Sequence, residues 1–121
     1  MAITSLLSRS TATDAPDGFA LMKVKGLVYT ATLTGNITVD STYPAICKLD
    51  PGGASRDVTL EAYATSEGLY RRFVNAADAA ENLVVKDAGG TVATINQNEE
   101  GEFYCDGSDW HLVCIRTIAL S

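Results

Sequence analysis

Basic residues are scarce in this sequence of 121 residues. It has nine lysines and arginines against fifteen aspartates and glutamates, which gives a formal net charge of −6. Binding to a phosphate backbone draws most of its free energy from lysine and arginine side chains that displace counterions. We therefore expect no nucleic-acid partner.

The sequence also lacks a long apolar run. No segment approaches the roughly twenty consecutive apolar residues that a membrane-spanning helix needs. The start, MAITSLLSRS, has neither the basic residues nor the apolar stretch of a secretory signal peptide. We expect no membrane partner, and production in a reducing cytoplasm.

Cysteine is rare, and its number is odd. Cys47, Cys105 and Cys114 each lie in an apolar, strand-like context. Because free cysteine commonly behaves as a small buried hydrophobe, we predict three reduced core thiols in preference to a disulfide.

Few groups could carry catalysis or bind a metal. The single histidine, His111, has Asp109 two residues away, but no nucleophile-elbow motif accompanies the pair. Cys105 and Cys114 add two soft ligands, yet a structural zinc site needs four, and Cys47 would have to supply the last from far along the chain. The acidic residues that could form a glycosidase pair have the pattern of polar turn tips: Glu99, Glu100, Glu102, Asp106 and Asp109. We predict no catalytic residues, no metal and no cofactor, in a protein that is not an enzyme.

Short strands separated by glycine turns are abundant. The clearest block runs from Val84 to Ile115 and predicts a four-strand meander, with turns at Asp87–Gly90 and Asp106–Asp109. Alternating residues from Leu27 to Val39 predict a β-hairpin, and Asp50–Gly53 predicts another turn. We expect an all-β fold over residues 19–121, a small antiparallel β-sandwich or barrel of jelly-roll or tulip-like type.

Residues 1–18 have a different character from the rest. They are rich in serine, threonine and alanine, contain the breakers Pro16 and Gly18, and show no sustained apolar period. This pattern predicts an extended N-terminal arm. Its apolar residues Ile3, Leu6 and Leu7 would dock either on a partner or on the protein's own body.

Aromatic and charged residues mix at two places. The strand predicted over Gly68–Asn75 has Arg71 on one face and Tyr70 with Arg72 on the other, which is typical of an edge strand, a buried ion pair or a subunit interface. Trp110, the only tryptophan, is interpreted as a core anchor or an interface residue. With Tyr104 nearby, it could instead stack on a sugar ring.

Four motifs follow one another between Tyr43 and about Val113: LDPGGASRDVTL, FVNAADAAENLVV, VKDAGGTVATI and EFYCDGSDW. In this order they resemble the head decoration, or cement, proteins of tailed bacteriophages. The resemblance implies a small β protein, commonly a homotrimer, made in the host bacterial cytoplasm. It would sit on the outside of the capsid and stabilise the DNA-filled shell.

The implied partners are the major capsid protein and further copies of the chain itself. Candidate capsid contacts in the arm are Ile3, Leu6, Leu7 and Arg9. Candidate residues for the trimer interface are Tyr70, Arg71, Arg72 and Trp110. Related β modules occur in tail fibres and spikes, so the alternative function is a carbohydrate- or receptor-binding module of such a fibre or spike.

Overall fold

The computed structural model describes residues 27–119. The expected arm, residues 1–18, lies outside these described residues together with its candidate contacts Ile3, Leu6, Leu7 and Arg9. From residue 27 to residue 119 the chain forms nine strands: β1 Val28–Thr32, β2 Ile37–Thr38, β3 Ile46–Asp50, β4 Arg56–Thr59, β5 Tyr70–Asn75, β6 Leu83–Asp87, β7 Gly90–Ile95, β8 Glu99–Cys105 and β9 Trp110–Thr117. One short 3-10 helix, Tyr63–Thr65, precedes β5. The all-β prediction is confirmed.

The strands form two sheets, a five-stranded one in the order β9-β8-β5-β3-β1 and a four-stranded one in the order β2-β4-β6-β7. The first six strands alternate between the sheets, and each of the first four pairs in parallel with the next strand but one. Only the pairs β5–β8, β8–β9 and β6–β7 are antiparallel.

The expected antiparallel pairing is therefore wrong for the four pairs that the first six strands form with one another. The hairpin predicted over Leu27–Val39 is wrong as well, because β1 and β2 belong to different sheets. Glycine-rich turns can reverse a strand within its sheet or lead it across to the other sheet, and parallel neighbours require the second kind of connection. Turn composition alone does not distinguish the two.

The turn Asp50–Gly53 separates β3 from β4, as predicted, and leads the chain from one sheet to the other. The Gly52 N–H donates to Asp50 Oδ1 at 2.9 Å, and Gly52 has a φ of 77°. A Cβ at Gly52 would clash with the Leu33 carbonyl oxygen, while the Leu33 N–H donates to the Asp50 carbonyl at 2.7 Å. Glycine is required here by both space and backbone conformation.

The block Val84–Ile115 contains two hairpins instead of one meander. The predicted turns at Asp87–Gly90 and Asp106–Asp109 are confirmed, since β6 pairs with β7 and β8 pairs with β9. The two hairpins lie in different sheets. Strand β8 begins at Glu99, so three of the acidic residues expected at turn tips lie within a strand: Glu99, Glu100 and Glu102.

The core lies between the two sheets. The rings of Phe73 and Phe103 pack with centroids 5.9 Å apart, and both side chains are fully buried. Burying one such side chain contributes about 1.5–3 kcal/mol. The thiols of Cys47 and Cys105 lie in this core, as predicted, whereas Cys114 is only half-buried; all three cysteines are free.

Candidate functional site

Arg71 lies on the core side of β5 and is only 3% exposed. Its Nε and Nη2 donate to the Glu61 carboxylate at 3.3 and 2.5 Å. Nη1 donates to the carbonyls of Tyr43 and Pro44, and Nη2 also donates to that of Asp40. These contacts use all five N–H groups of the guanidinium. Of the three interpretations of this strand, the buried ion pair is realised, and an edge strand is ruled out because β5 is the third of five strands.

Trp110 packs into the same region. It is 4% exposed, and its indole N–H donates to the Glu61 carbonyl at 2.8 Å. The structure therefore makes Trp110 a core anchor, with its ring unavailable for stacking on a sugar. Arg71 and Trp110, two of the four candidate interface residues, are buried and use their side-chain donors within their own chain.

Two shallow, open depressions lie beside this buried pair. Their volumes are about 500 and 190 Å³, and Ser41, Glu61 and Leu69 line both. Arg71 lines the smaller one. Because every donor of its guanidinium is already used, Arg71 has none left for an anionic ligand in that depression.

We call the surface of the five-stranded sheet that faces away from the core the outer face. The pairing register of neighbouring strands shows which side chains lie on this face. They are Val28, Thr30, Ile46, Lys48, Tyr70, Arg72, Val74, Glu100, Glu102, Tyr104, His111, Cys114 and Arg116. The two remaining interface candidates, Tyr70 and Arg72, thus lie on this face.

An ion network occupies the middle of the outer face. Arg72 donates to Glu102 at 3.3 Å, and Arg116 donates to Glu102 and, at 2.6 Å, to Glu100. Cys114 lies within the same network, 2.9 Å from Arg116 Nη1. Two arginines face two glutamates here, so the network adds little net charge to the outer face.

Exposed large apolar side chains concentrate on the same sheet. Leu112 and Val113 lie on β9 and are 41% and 54% exposed, while Val28 on β1 is 53% exposed. Strands β9 and β1 are the two edges of the sheet. At β9 the alternating pattern fails because the register shifts between Leu112 and Cys114, which leaves two neighbouring apolar residues outside the core.

Three rings from adjacent strands form a row at one end of the outer face. Tyr70 on β5 pairs with Tyr104 on β8, which pairs with His111 on β9. The rings of Tyr104 and His111 are 5.0 Å apart. The tyrosines are 37% and 45% exposed, so their rings remain accessible. We call these three residues the aromatic row.

The carboxylate of Asp106 borders the aromatic row. Its Oδ2 lies 2.7 Å from His111 Nε2, and its Oδ1 accepts from the N–H groups of Ser108 and Asp109. The hydrogen bond with His111, followed by those two backbone bonds, lowers the pKa of Asp106 to about 2. His111 therefore pairs with Asp106, and not with the neighbour in sequence, Asp109, considered for a catalytic pair.

The ligand set considered for zinc does not come together. Cys105 points into the core and Cys114 joins the ion network. Between residues 27 and 119, the polar atoms of Asp106, Asp109 and His111 lie within 4.8 Å of one another. The same holds for Asp50, Asp78 and Glu81. Exposed carboxylates commonly cluster in this way. In the second group, Glu81 Oε1 is buried and has no hydrogen-bond partner among the described residues.

Comparisons with known proteins returned no match among protein-family models, curated proteins or solved structures. In the part of the chain that the structure describes, no helix has the length and apolar character needed to cross a membrane. Function therefore has to be inferred from the residues and their arrangement.

Proposed function

We propose that this chain is a structural virion protein. It binds the outer surface of a tailed-phage capsid as a homotrimer and stabilises the shell, with the major capsid protein and its own copies as partners. The proposal is supported by the order of the four motifs between Tyr43 and Val113 and by the all-β body. In this function the protein is assembled in the host cytoplasm and acts on the exterior of the virion.

The observation that carries the proposal is the one-sided distribution of exposed apolar side chains. From residue 27 to residue 119, every large exposed hydrophobic residue lies on the five-stranded sheet or directly before one of its strands: Leu27, Val28, Tyr29, Leu69, Tyr70, Tyr104, Leu112 and Val113. Exposed apolar side chains that concentrate on one sheet of a small domain, here at its two edges and at one end, indicate protein contacts. A protein whose function is attachment needs such a side.

The two edges of that sheet suit association between copies. Strands β9 and β1 each have one side without a partner among the strands described, and each carries exposed apolar residues. A contact between different surfaces of identical chains closes into a ring when the rotation allows. A trimer then attaches through three equivalent sites, whose modest individual affinities combine into firm binding.

The shell is stabilised because binding of the protein is coupled to assembly of the capsid. A protein that binds the expanded capsid and not its disassembled subunits shifts the equilibrium toward the assembled shell. The arm proposed for residues 1–18 would supply, through Ile3, Leu6, Leu7 and Arg9, contacts without which the body alone does not stay attached.

The test uses purified protein and expanded capsids of the parent phage. We expect the protein to sediment as a trimer, to co-sediment with capsids and to raise the temperature at which they release DNA. Deletion of residues 1–14 should abolish attachment while the trimer persists. Binding of the truncated protein at full strength would refute the role of the arm, and absence of any capsid binding by the full chain would refute the proposed function.

A further inference from the structure

The aromatic row of Tyr70, Tyr104 and His111 lies beside a group of carboxylates. Asp106 is held against His111 at 2.7 Å, and a side-chain oxygen of Asp109 lies within 4.8 Å of ligand atoms of both. Glu67 packs beside Gly107 in the same turn. The end of the sheet that carries the β8–β9 turn therefore combines exposed aromatic faces with three acidic side chains.

The cations of the outer face do not neutralise this corner. Arg72, the next outward residue along β5, donates to Glu102, and Arg116 donates to Glu100 and Glu102. Arg71 lies on the opposite side of the sheet and is bound to Glu61. Of the side chains between residues 27 and 119 that border the turn, His111 is the one that can carry positive charge, and it does so only when it is protonated.

Among the described residues, nothing donates a hydrogen bond to the Asp109 carboxylate, which is exposed. The Asp106 carboxylate, by contrast, accepts from two backbone N–H groups and faces the imidazole. Asp106 thus shapes the turn, and Asp109 is the acceptor that remains free for a ligand.

We propose that this corner is a binding site for an arginine side chain of a partner protein. The guanidinium stacks on the exposed ring of Tyr104, with Tyr70 alongside, and its N–H groups donate to Asp109. A planar cation uses both features of the corner at once, because the faces of tyrosine rings attract cations and a carboxylate accepts from a guanidinium in a fixed geometry. The inference rests on the proposed function only in taking the partner to be a protein.

Charge complementarity separates this ligand from the alternatives. Acidic partners are disfavoured by the three carboxylates around the turn. A neutral sugar could stack on the tyrosines but gains nothing from the excess negative charge. Arginine is also among the residues that dominate the binding energy of protein interfaces, where it commonly meets tyrosine.

The experiment is an NMR titration of the full chain with the peptide acetyl-Gly-Arg-Gly-Arg-Gly-amide. The same peptide with citrulline in place of arginine is the control, because citrulline keeps the shape and removes the charge. We expect saturable shifts of the ring signals of Tyr70, Tyr104 and His111 with the arginine peptide. The dissociation constant of the citrulline peptide should be at least threefold higher.

Variants sharpen the result. Tyr104→Leu should weaken binding about two- to fivefold, the range for an exposed cation–aromatic contact. Asp109→Asn should weaken it by up to about fivefold, the range for an exposed ion pair. Tyr104→Phe should retain binding because the ring remains. Thr94→Ala, on the outside of the other sheet, should change nothing.

Equal binding of the arginine and citrulline peptides would overturn the proposal, as would wild-type affinity in both Tyr104→Leu and Asp109→Asn. If glucose or N-acetylglucosamine shifted the same ring signals and bound more tightly than the arginine peptide, the proposal would be overturned in favour of a carbohydrate site. The titration uses no capsids, so its failure is distinguishable from failure of the proposed function, in which the full chain does not bind shells.

Discussion

The outsides of the two sheets differ in what they present to solvent. The outer face of the five-stranded sheet carries exposed tyrosines and a central ion network, and the edge strands of this sheet add exposed aliphatic residues, Val28 on β1 and Leu112 and Val113 on β9. The outside of the four-stranded sheet carries mainly threonines and one ion pair, between Lys86 and Asp57 at 2.9 Å. None of the large exposed hydrophobic residues between residues 27 and 119 lies on it. Both sheets bury the same core, so the difference lies in what their other sides contact.

The contrast teaches that stability and attachment use separate parts of this chain. Inward-facing residues of both sheets hold the body together, and the outward-facing residues of only one sheet have a composition suited to partners. Substitutions on the outside of the five-stranded sheet should therefore change binding with little change in stability.

The largest effect is expected from the neighbouring arginines of β5. Arg71→Met leaves the Glu61 carboxylate and three backbone carbonyls without their donor inside the protein, which should lower the free energy of unfolding by about 3–5 kcal/mol. Arg72→Met, on the outer face, should cost at most about 1 kcal/mol, because Arg72 is partly exposed and its pairing is solvent-screened. Urea unfolding measures both. Equal losses would mean that the two sides of β5 contribute alike.

A pair of leucines compares the core with the edge strand. Leu49→Ala removes a fully buried side chain and should destabilise the protein by about 2–5 kcal/mol. Leu112→Ala removes an exposed one and should change stability by no more than about 0.5 kcal/mol. Leu112→Ala should nevertheless weaken trimer formation or capsid binding, measured by sedimentation. Unchanged assembly in this variant would remove β9 from the contact surface.

The turns that join the sheets offer a smaller test. Gly52→Ala forces a side chain into a positive-φ position and against the Leu33 carbonyl, so unfolding should become easier by roughly 1–3 kcal/mol. Gly35 lies in the connection from β1 to β2, which also joins the two sheets. A Cβ at Gly35 would meet open space, and the φ of Gly35 is not positive. Gly35→Ala should therefore be neutral or slightly stabilising. Thermal unfolding of the two variants distinguishes these outcomes, and similar losses would contradict the special role of Gly52.

The smallest effect concerns the Asp106–His111 pair at the end of the aromatic row. The pKa of Asp106 is lowered to about 2 in the folded protein from an ordinary 3.8. A lowered folded pKa gives stability that is present above the unfolded value of 3.8 and is lost as the pH falls toward 2. His111→Phe removes the largest cause, so the Asp106 midpoint should rise, as followed by the carbon chemical shift of its carboxyl group. Thr94→Ala should leave that midpoint unchanged, and an unmoved midpoint in His111→Phe would assign the shift to the backbone bonds alone.

Sequence patterns predicted the class of fold because strand propensity and turn residues are local properties. The hairpins at Asp87–Gly90 and Asp106–Asp109 follow from such local signals. The parallel pairing among β1 to β6 does not follow from local signals. It depends on whether each turn returns the chain to the same sheet or leads it to the other one. The sequence predicted the turn at Asp50–Gly53 but not that this turn leads the chain to the other sheet.

The site residues divide in the same way. An arginine on each side of β5 was visible in the sequence, but which one is buried depends on Glu61 and on the loop carbonyls that surround Arg71. The exposure of Leu112 and Val113 depends on a register shift that alternation does not reveal. The predicted capsid contacts in residues 1–18 stay a prediction.

Hydrogen–deuterium exchange of the chain, free and bound to expanded capsids, tests the contrast between the sheets most directly. The proposed contact surface predicts slower exchange on binding in peptides that cover β1 and the β8–β9 hairpin, with no change in the β6–β7 hairpin. Slower exchange in β6–β7 without any in β1 or β8–β9 would contradict it.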